Sequence, residues 1–170
     1  MNNENKTFCI LPWNHLSVNS DGSIRTCTFS TRTIKKNNGE KFNFGYDSVD
    51  DIINSDEFKD IRRKMLNGEK VTGCERCYEH EENGNNSYRQ FWQTVFSPVD
   101  NPTEVQNIEE LAYLDIKFGN MCNLKCRMCS PLLSSELNKE VKQIRINNPE
   151  IVNLSLTPIE EDTNDWYELE

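Results

Sequence analysis

Seven cysteines in two unequal groups constrain this chain more than any other feature. Cys9, Cys27, Cys74 and Cys77 are spread over the first half. Cys122, Cys126 and Cys129 are crowded into GNMCNLKCRMCSP, residues 119–131, as C-x3-C-x2-C. The N-terminus, MNNENKTFCILPW, has no basic segment followed by a hydrophobic core, so no secretion signal is expected and the cytoplasm is the expected location. Thiols there stay reduced, and clustered cysteines then point to metal binding rather than to disulfides. An odd count also fits a fully paired disulfide framework poorly.

The rest of the composition sets limits. A length of 170 residues allows one ordinary domain or two small ones. Apolar residues make up 35% of the chain and the mean hydropathy is -0.76, so the core is expected to be modest. A net charge of -9 argues against a nucleic-acid backbone as partner. No span is long and apolar enough to suggest a membrane segment.

Local patterns divide the chain near residue 108, into a first unit over 1–108 and a second over 109–170. NHLSVNSDGSIRTCT reads as a hairpin, with Leu16 and Val18 alternating with polar residues and Asp21-Gly22 at the turn. TRTIKKNNGEKFN reads as a loop. Ser48 opens a short helical segment, with Asp51 placed for a capping box. Ser55 opens a clearer helix whose face is Phe58, Ile61, Met65 and Leu66, closed by Gly68. SYRQFWQTVF resembles a further helix, and SPVDNPTEVQNIEE a linker. LAYLDIKFG, from Leu111 to Phe118, reads as a buried strand. A helix is expected from about Ser134 to Asn147, with Leu133, Leu137, Val141 and Ile144 as its stripe. Strand, cysteine loop, helix is half of a β/α repeat. The acidic C-terminal stretch EIVNLSLTPIEEDTNDWYELE yields no assigned element.

Thiolates favour zinc and iron–sulfur clusters. Four cysteines close a four-iron cluster, one per iron. Three leave an iron without a protein ligand, and an open metal position is how a site becomes reactive rather than structural. The trio also lies at the C-terminal end of an expected parallel strand, where β/α folds place their reactive loops.

These residues carry a resemblance. C-x3-C-x2-C after a strand resembles the cluster loop of the radical S-adenosylmethionine (radical SAM) superfamily. Cys9-x12-Gly22-x4-Cys27 with Cys74-x2-Cys77 resembles the auxiliary-cluster modules called SPASM and twitch, here placed ahead of the barrel. The resemblance implies two [4Fe–4S] clusters. One, on Cys122, Cys126 and Cys129, would bind S-adenosylmethionine and cleave it reductively to a 5′-deoxyadenosyl radical that abstracts hydrogen. The other would be held by Cys9, Cys27, Cys74 and Cys77. Many relatives carry an aromatic residue before the third cysteine, near the adenine; Met128 stands there. The implied fold is a small α+β iron–sulfur module with a hairpin and helices, followed by the first β/α unit of a partial barrel. The implied partners are S-adenosylmethionine, an electron donor such as flavodoxin or ferredoxin, and a substrate of the peptide or protein class.

Other readings stay open. Zinc could occupy the quartet, with His80 joining Cys74 and Cys77, although a lone histidine such as His80 or His15 is more often only solvated or hydrogen-bonded. Lys125 and Arg127 either offset thiolate charge or simply face solvent. Trp13 and Trp92 read as packing residues. Only residues 130–170 follow the trio, no glycine occurs after Gly119, and the Gly-Gly-Glu-type segment of the superfamily is absent. The chain alone is therefore expected to be an incomplete enzyme, with a second chain as one source of the missing barrel. A non-catalytic electron-transfer or accessory module and a zinc-stabilised interaction domain are the alternatives.

Overall fold

A computed structural model of the chain describes residues 5–96, 102–105 and 107–149. The stretch after residue 149, with its acidic cluster, lies outside the described residues, as does part of the expected linker.

The chain opens with a single helical turn, α1 (Leu11–Asn14), started by Pro12. It runs straight into the hairpin of β1 (His15–Val18) and β2 (Ile24–Arg25). The turn forms where Asp21-Gly22 demands it. Asp21 Oδ1 accepts from the Ser23 amide at 3.0 Å, and Gly22 adopts φ +75°. A Cβ at Gly22 would also lie 2.7 Å from the Asn43 side chain, so glycine is required twice over.

Helix α2 (Val49–Ile53) is capped by Ser48, whose Oγ accepts from the Asp51 amide at 3.1 Å. Helix α3 (Asp56–Leu66) is capped by Ser55 and closed past Asn67 by Gly68 at φ +75°. Phe58, Ile61 and Met65 are buried as their spacing requires. Arg62 is buried beside them. Its Nε donates to Pro12 O at 2.9 Å, tying α3 to α1, and burial pushes its pKa down to about 10. Helices α4 (Glu75–Glu82) and α5 (Tyr88–Val95) follow, the latter with a complete Ser87–Gln90 capping box.

The polar loop 31–43 contributes more than its composition suggests. Ile34 is fully buried, and its amide bonds Ile24 O at 2.8 Å. Ile108, at the far end of the expected linker, is held by paired bonds to the Asn54 side chain, 2.8 and 3.0 Å, and belongs to the same core.

Strand β3 (Tyr113–Ile116) pairs parallel to β1, with His15 opposite Tyr113 and Val18 opposite Ile116. The sheet order is β2-β1-β3. This parallel neighbour comes from the hairpin, a pairing across almost a hundred residues that no local pattern announces. The strand is shorter than the apolar run Leu111–Phe118 and is not fully buried. Leu114, on β3, and Phe118, beyond its end, are exposed, and β3 is one of the two edge strands of this sheet. After the trio, a 3-10 turn at Pro131–Leu133 leads to α6 (Ser135–Asn147), capped by Ser134. Of the expected stripe, Val141 is buried while Leu133 and Ile144 remain exposed.

Candidate iron–sulfur sites

The first site gathers residues from three separate segments. Cys9 precedes α1, Cys27 follows β2, Cys74 is the N-cap of α4 and Cys77 lies in its first turn. All four line one apolar pocket, together with Leu11, Phe29, Met65, Tyr78 and Tyr88. Cys9 and Cys27 are buried and the other two are half-buried. The lining contains no histidine and no carboxylate, so the four thiols are its soft donors.

A glycine missed by sequence reading closes this pocket. Gly73 has φ +96°, and a Cβ there would lie 2.6 Å from Arg32 Cβ and 2.9 Å from Arg32 N. Its carbonyl accepts from the Thr31 amide at 3.1 Å. Gly73 thus lets the turn that carries Cys74 lie against the loop that follows Cys27. Its position directly before C-x2-C was the available signal.

Burial dominates the thiols' chemistry. It pushes Cys9 far above the usual thiol range, raises Cys27, and pushes Cys74 up to about 12. Neighbouring cysteines add to each rise. Opposing them, the backbone of Leu11 hydrogen-bonds Cys9, and those of Phe29 and Ser30 hydrogen-bond Cys27. The site is therefore unfavourable for bare thiolates.

The second site is local. Cys122, Cys126 and Cys129 sit on the loop between β3 and α6, with Cys126 exposed and the others half-buried. The N-terminus of α6 holds this loop. Ser134 Oγ donates to Leu124 O at 2.8 Å and Ser135 Oγ to Cys122 O at 3.2 Å, while the Ser135 amide bonds Asn120 O at 2.8 Å. Met128 is wholly exposed. Lys125 pairs with Glu140 at 3.8 Å on the surface. Arg127 is exposed.

Two contacts join the sites. Lys117, just past β3, donates to Thr28 Oγ1 at 3.4 Å, next to Cys27. Ser20 Oγ, in the hairpin turn, donates to Leu132 O at 3.0 Å, just past the trio. The two histidines stand elsewhere. His80 is exposed near the end of α4 and is not among the pocket-lining residues. His15 is buried in β1, its Nδ1 3.1 Å from Tyr113 O and its ring stacked on Tyr113 at 4.5 Å. Trp13 is buried in the core, as read, and Trp92 stacks on Tyr113. Among the described residues, no three His, Cys, Asp or Glu side chains close on a point that could hold a single metal ion. The quartet frames a shared pocket rather than one ion-sized point.

The fold is a small α+β unit with a three-stranded sheet, and its buried site is a four-thiol pocket. Residues 9–78 match the family model of SPASM, an iron-sulfur cluster-binding domain. The match begins at Cys9, takes in the whole quartet, and ends before the trio. No curated protein and no solved structure matches the chain. Among the described residues, no helix is long and apolar enough to cross a membrane.

Proposed function

We propose that this chain is of the radical SAM class, with a twitch-type auxiliary cluster in its first unit and a second, S-adenosylmethionine-binding cluster on the trio. The observation that carries the proposal is the meeting of Cys9, Cys27, Cys74 and Cys77 at one pocket, inside a stretch that matches an iron–sulfur domain. The C-x3-C-x2-C loop beyond a parallel strand, held by the N-terminus of α6, supports the second half. A cluster bound there would supply the electron for reductive cleavage of S-adenosylmethionine. The chain's own part is to present three thiols and leave one iron free. The remaining barrel, the electron donor, and a peptide or protein substrate would come from outside the described residues, in the cytoplasm.

Anaerobic reconstitution tests this directly. The expected content is about eight irons and eight sulfides per chain, four of each per cubane. Replacing all three trio cysteines by alanine removes half, and adding S-adenosylmethionine changes the EPR signal of the reduced trio cluster. One or two zincs without labile sulfide overturns the cluster reading. Two clusters with no response to S-adenosylmethionine favours the second reading, an electron-transfer or accessory module, which the exposure of Cys126 supports.

A further inference from the structure

The quartet pocket has a charge problem that four nearby arginines divide among themselves. An oxidised cubane held by four thiolates carries a net charge of about −2, and about −3 after one-electron reduction. In a mostly buried pocket such charge is costly unless it is countered. Glu75 worsens the balance, because its carboxylate is held beside Cys74 by the Gly73 amide at 2.9 Å.

Two of the arginines are already committed. Arg89 lines the pocket but is ion-paired with Glu81, and its Nη1 donates to Phe8 O at 2.6 Å. Arg32 lies against Gly73, next to Cys74, but is paired with Glu57 at 2.6 Å. The other two have no carboxylate partner among the described residues. Arg25, on β2 and two residues before Cys27, donates from its Nη1 to Ser30 O at 3.1 Å, and Ser30 lines the pocket; its buried Nε has no acceptor among the described residues. Arg76, between Cys74 and Cys77, lines the pocket with its guanidinium 4.4 Å from the centre of the Phe29 ring. A guanidinium keeps its charge at any working pH. One of these cations thus reaches a pocket-lining residue from the sheet, and the other lines the pocket from α4.

We propose that Arg25 and Arg76 are the counter-cations of the quartet cluster and set its reduction potential. The inference rests on the quartet holding a cluster. The two guanidiniums offset the oxidised charge and favour the reduced state, whose extra electron arrives from the external donor and rests on the iron. Net charge near a cluster is one of the quantities that tune its potential.

The test is an EPR-monitored redox titration of the reconstituted full chain, with Cys122, Cys126 and Cys129 replaced by alanine so that only the quartet signal remains. Arg76→Met is expected to lower the midpoint by about 59 mV, a tenfold loss in the one-electron equilibrium. Arg25→Met should act in the same direction, and the double variant further. Arg76→Lys and Arg25→Lys, which keep the charge, should restore most of the shift. A purely packing role for Arg76 over Phe29 would not follow charge in this way. Unmoved potentials in Arg76→Met and Arg25→Met, with full cluster content, overturn the counter-cation role and leave the cluster reading intact. If Arg25→Met fails to hold a cluster, the exposed Arg76 decides alone. A parent chain that takes up no iron and sulfide overturns both.

Discussion

The two cysteine groups differ in how they are assembled, and that difference predicts how each responds to damage. The quartet draws ligands from before α1, after β2 and the start of α4, and buries them in an apolar pocket. It exists only if the fold exists. The trio is contained in one short loop, and its outermost thiol is exposed. It needs little folding to form but depends on its surroundings for protection. Metal binding and folding should be strongly coupled at the first site and weakly at the second.

The largest expected effect tests that coupling. Removing two of the four ligands together, Cys27→Ala with Cys77→Ala, should lower the iron content to about half, four irons from one cubane. It should also lower the melting temperature of the reconstituted protein clearly, because the cluster no longer binds the folded state in preference to the unfolded one. Cys126→Ala should lower iron by a similar amount and leave the melting of the first unit nearly unchanged. Calorimetry beside iron analysis reads both. Equal melting losses in the two variants would erase the proposed contrast.

Gly73 comes next. Gly73→Ala meets both a positive φ and contacts under 3.0 Å with Arg32, including its backbone nitrogen. The expected cost is about 1–3 kcal/mol by denaturant titration, together with reduced quartet occupancy. Gly68→Ala is the control. It has a similar φ of +75° but open space around it, so it should cost only about 1 kcal/mol and leave the cluster intact.

What was legible in the sequence follows the range of the interactions. Helix α3 was readable from end to end, because Ser55, the Phe58–Ile61–Met65 face and Gly68 are local signals. The hairpin was announced by Asp21-Gly22. The four-plus-three division of cysteines was visible as spacing, but nothing in spacing alone brings Cys9 to Cys77. That convergence depends on the packing of α1 against α3 and on the close approach at Gly73. The pairing of β3 with β1 was invisible for the same reason. The apolar run over 111–118 predicts a buried strand, since hydropathy cannot tell which face of a strand stays in water. Ile34 was hidden in a polar loop, where one isoleucine anchors what its neighbours leave in water. His15 sits in the sheet and His80 on the surface, and neither position could be told from the residue type.

A smaller effect is expected where the trio loop is fastened. Ser134 is fully buried, caps α6 through the Leu137 amide at 3.3 Å and donates to Leu124 O. Ser134→Ala should cost about 1 kcal/mol through the lost cap. It should lower cluster content at the trio while the quartet spectrum stays unchanged. If it instead reduces the quartet, the two sites are coupled through the Lys117–Thr28 and Ser20–Leu132 contacts more tightly than the comparison allows.

The smallest effect concerns the strand the two regions share. Burial holds the pKa of His15 below its ordinary value, and the Tyr113 carbonyl only partly offsets that. The unfolded chain therefore binds a proton at His15, near the ordinary histidine value of about 6.5, before the folded one does. Stability is fully present above that pH and is lost as pH falls through it toward the lower folded value. The carboxylates held low by their cationic neighbours, Asp47 by Lys36, Asp60 by Lys64 and Asp115 by Lys117, have the same sign but a separate window. Their contribution is lost only as pH falls below the carboxylate range, about 4 for an unfolded aspartate. A chemical-denaturation series from pH 7.5 to 5.5 should show a modest decline in the parent chain and a flatter profile in His15→Gln. Because β1 carries both β2 and β3, protonating His15 should loosen the β1–β3 pairing. Hydrogen exchange at Leu114 and Ile116 should accelerate over the same interval, while the amides of α3, at the base of the quartet pocket, hold their protection.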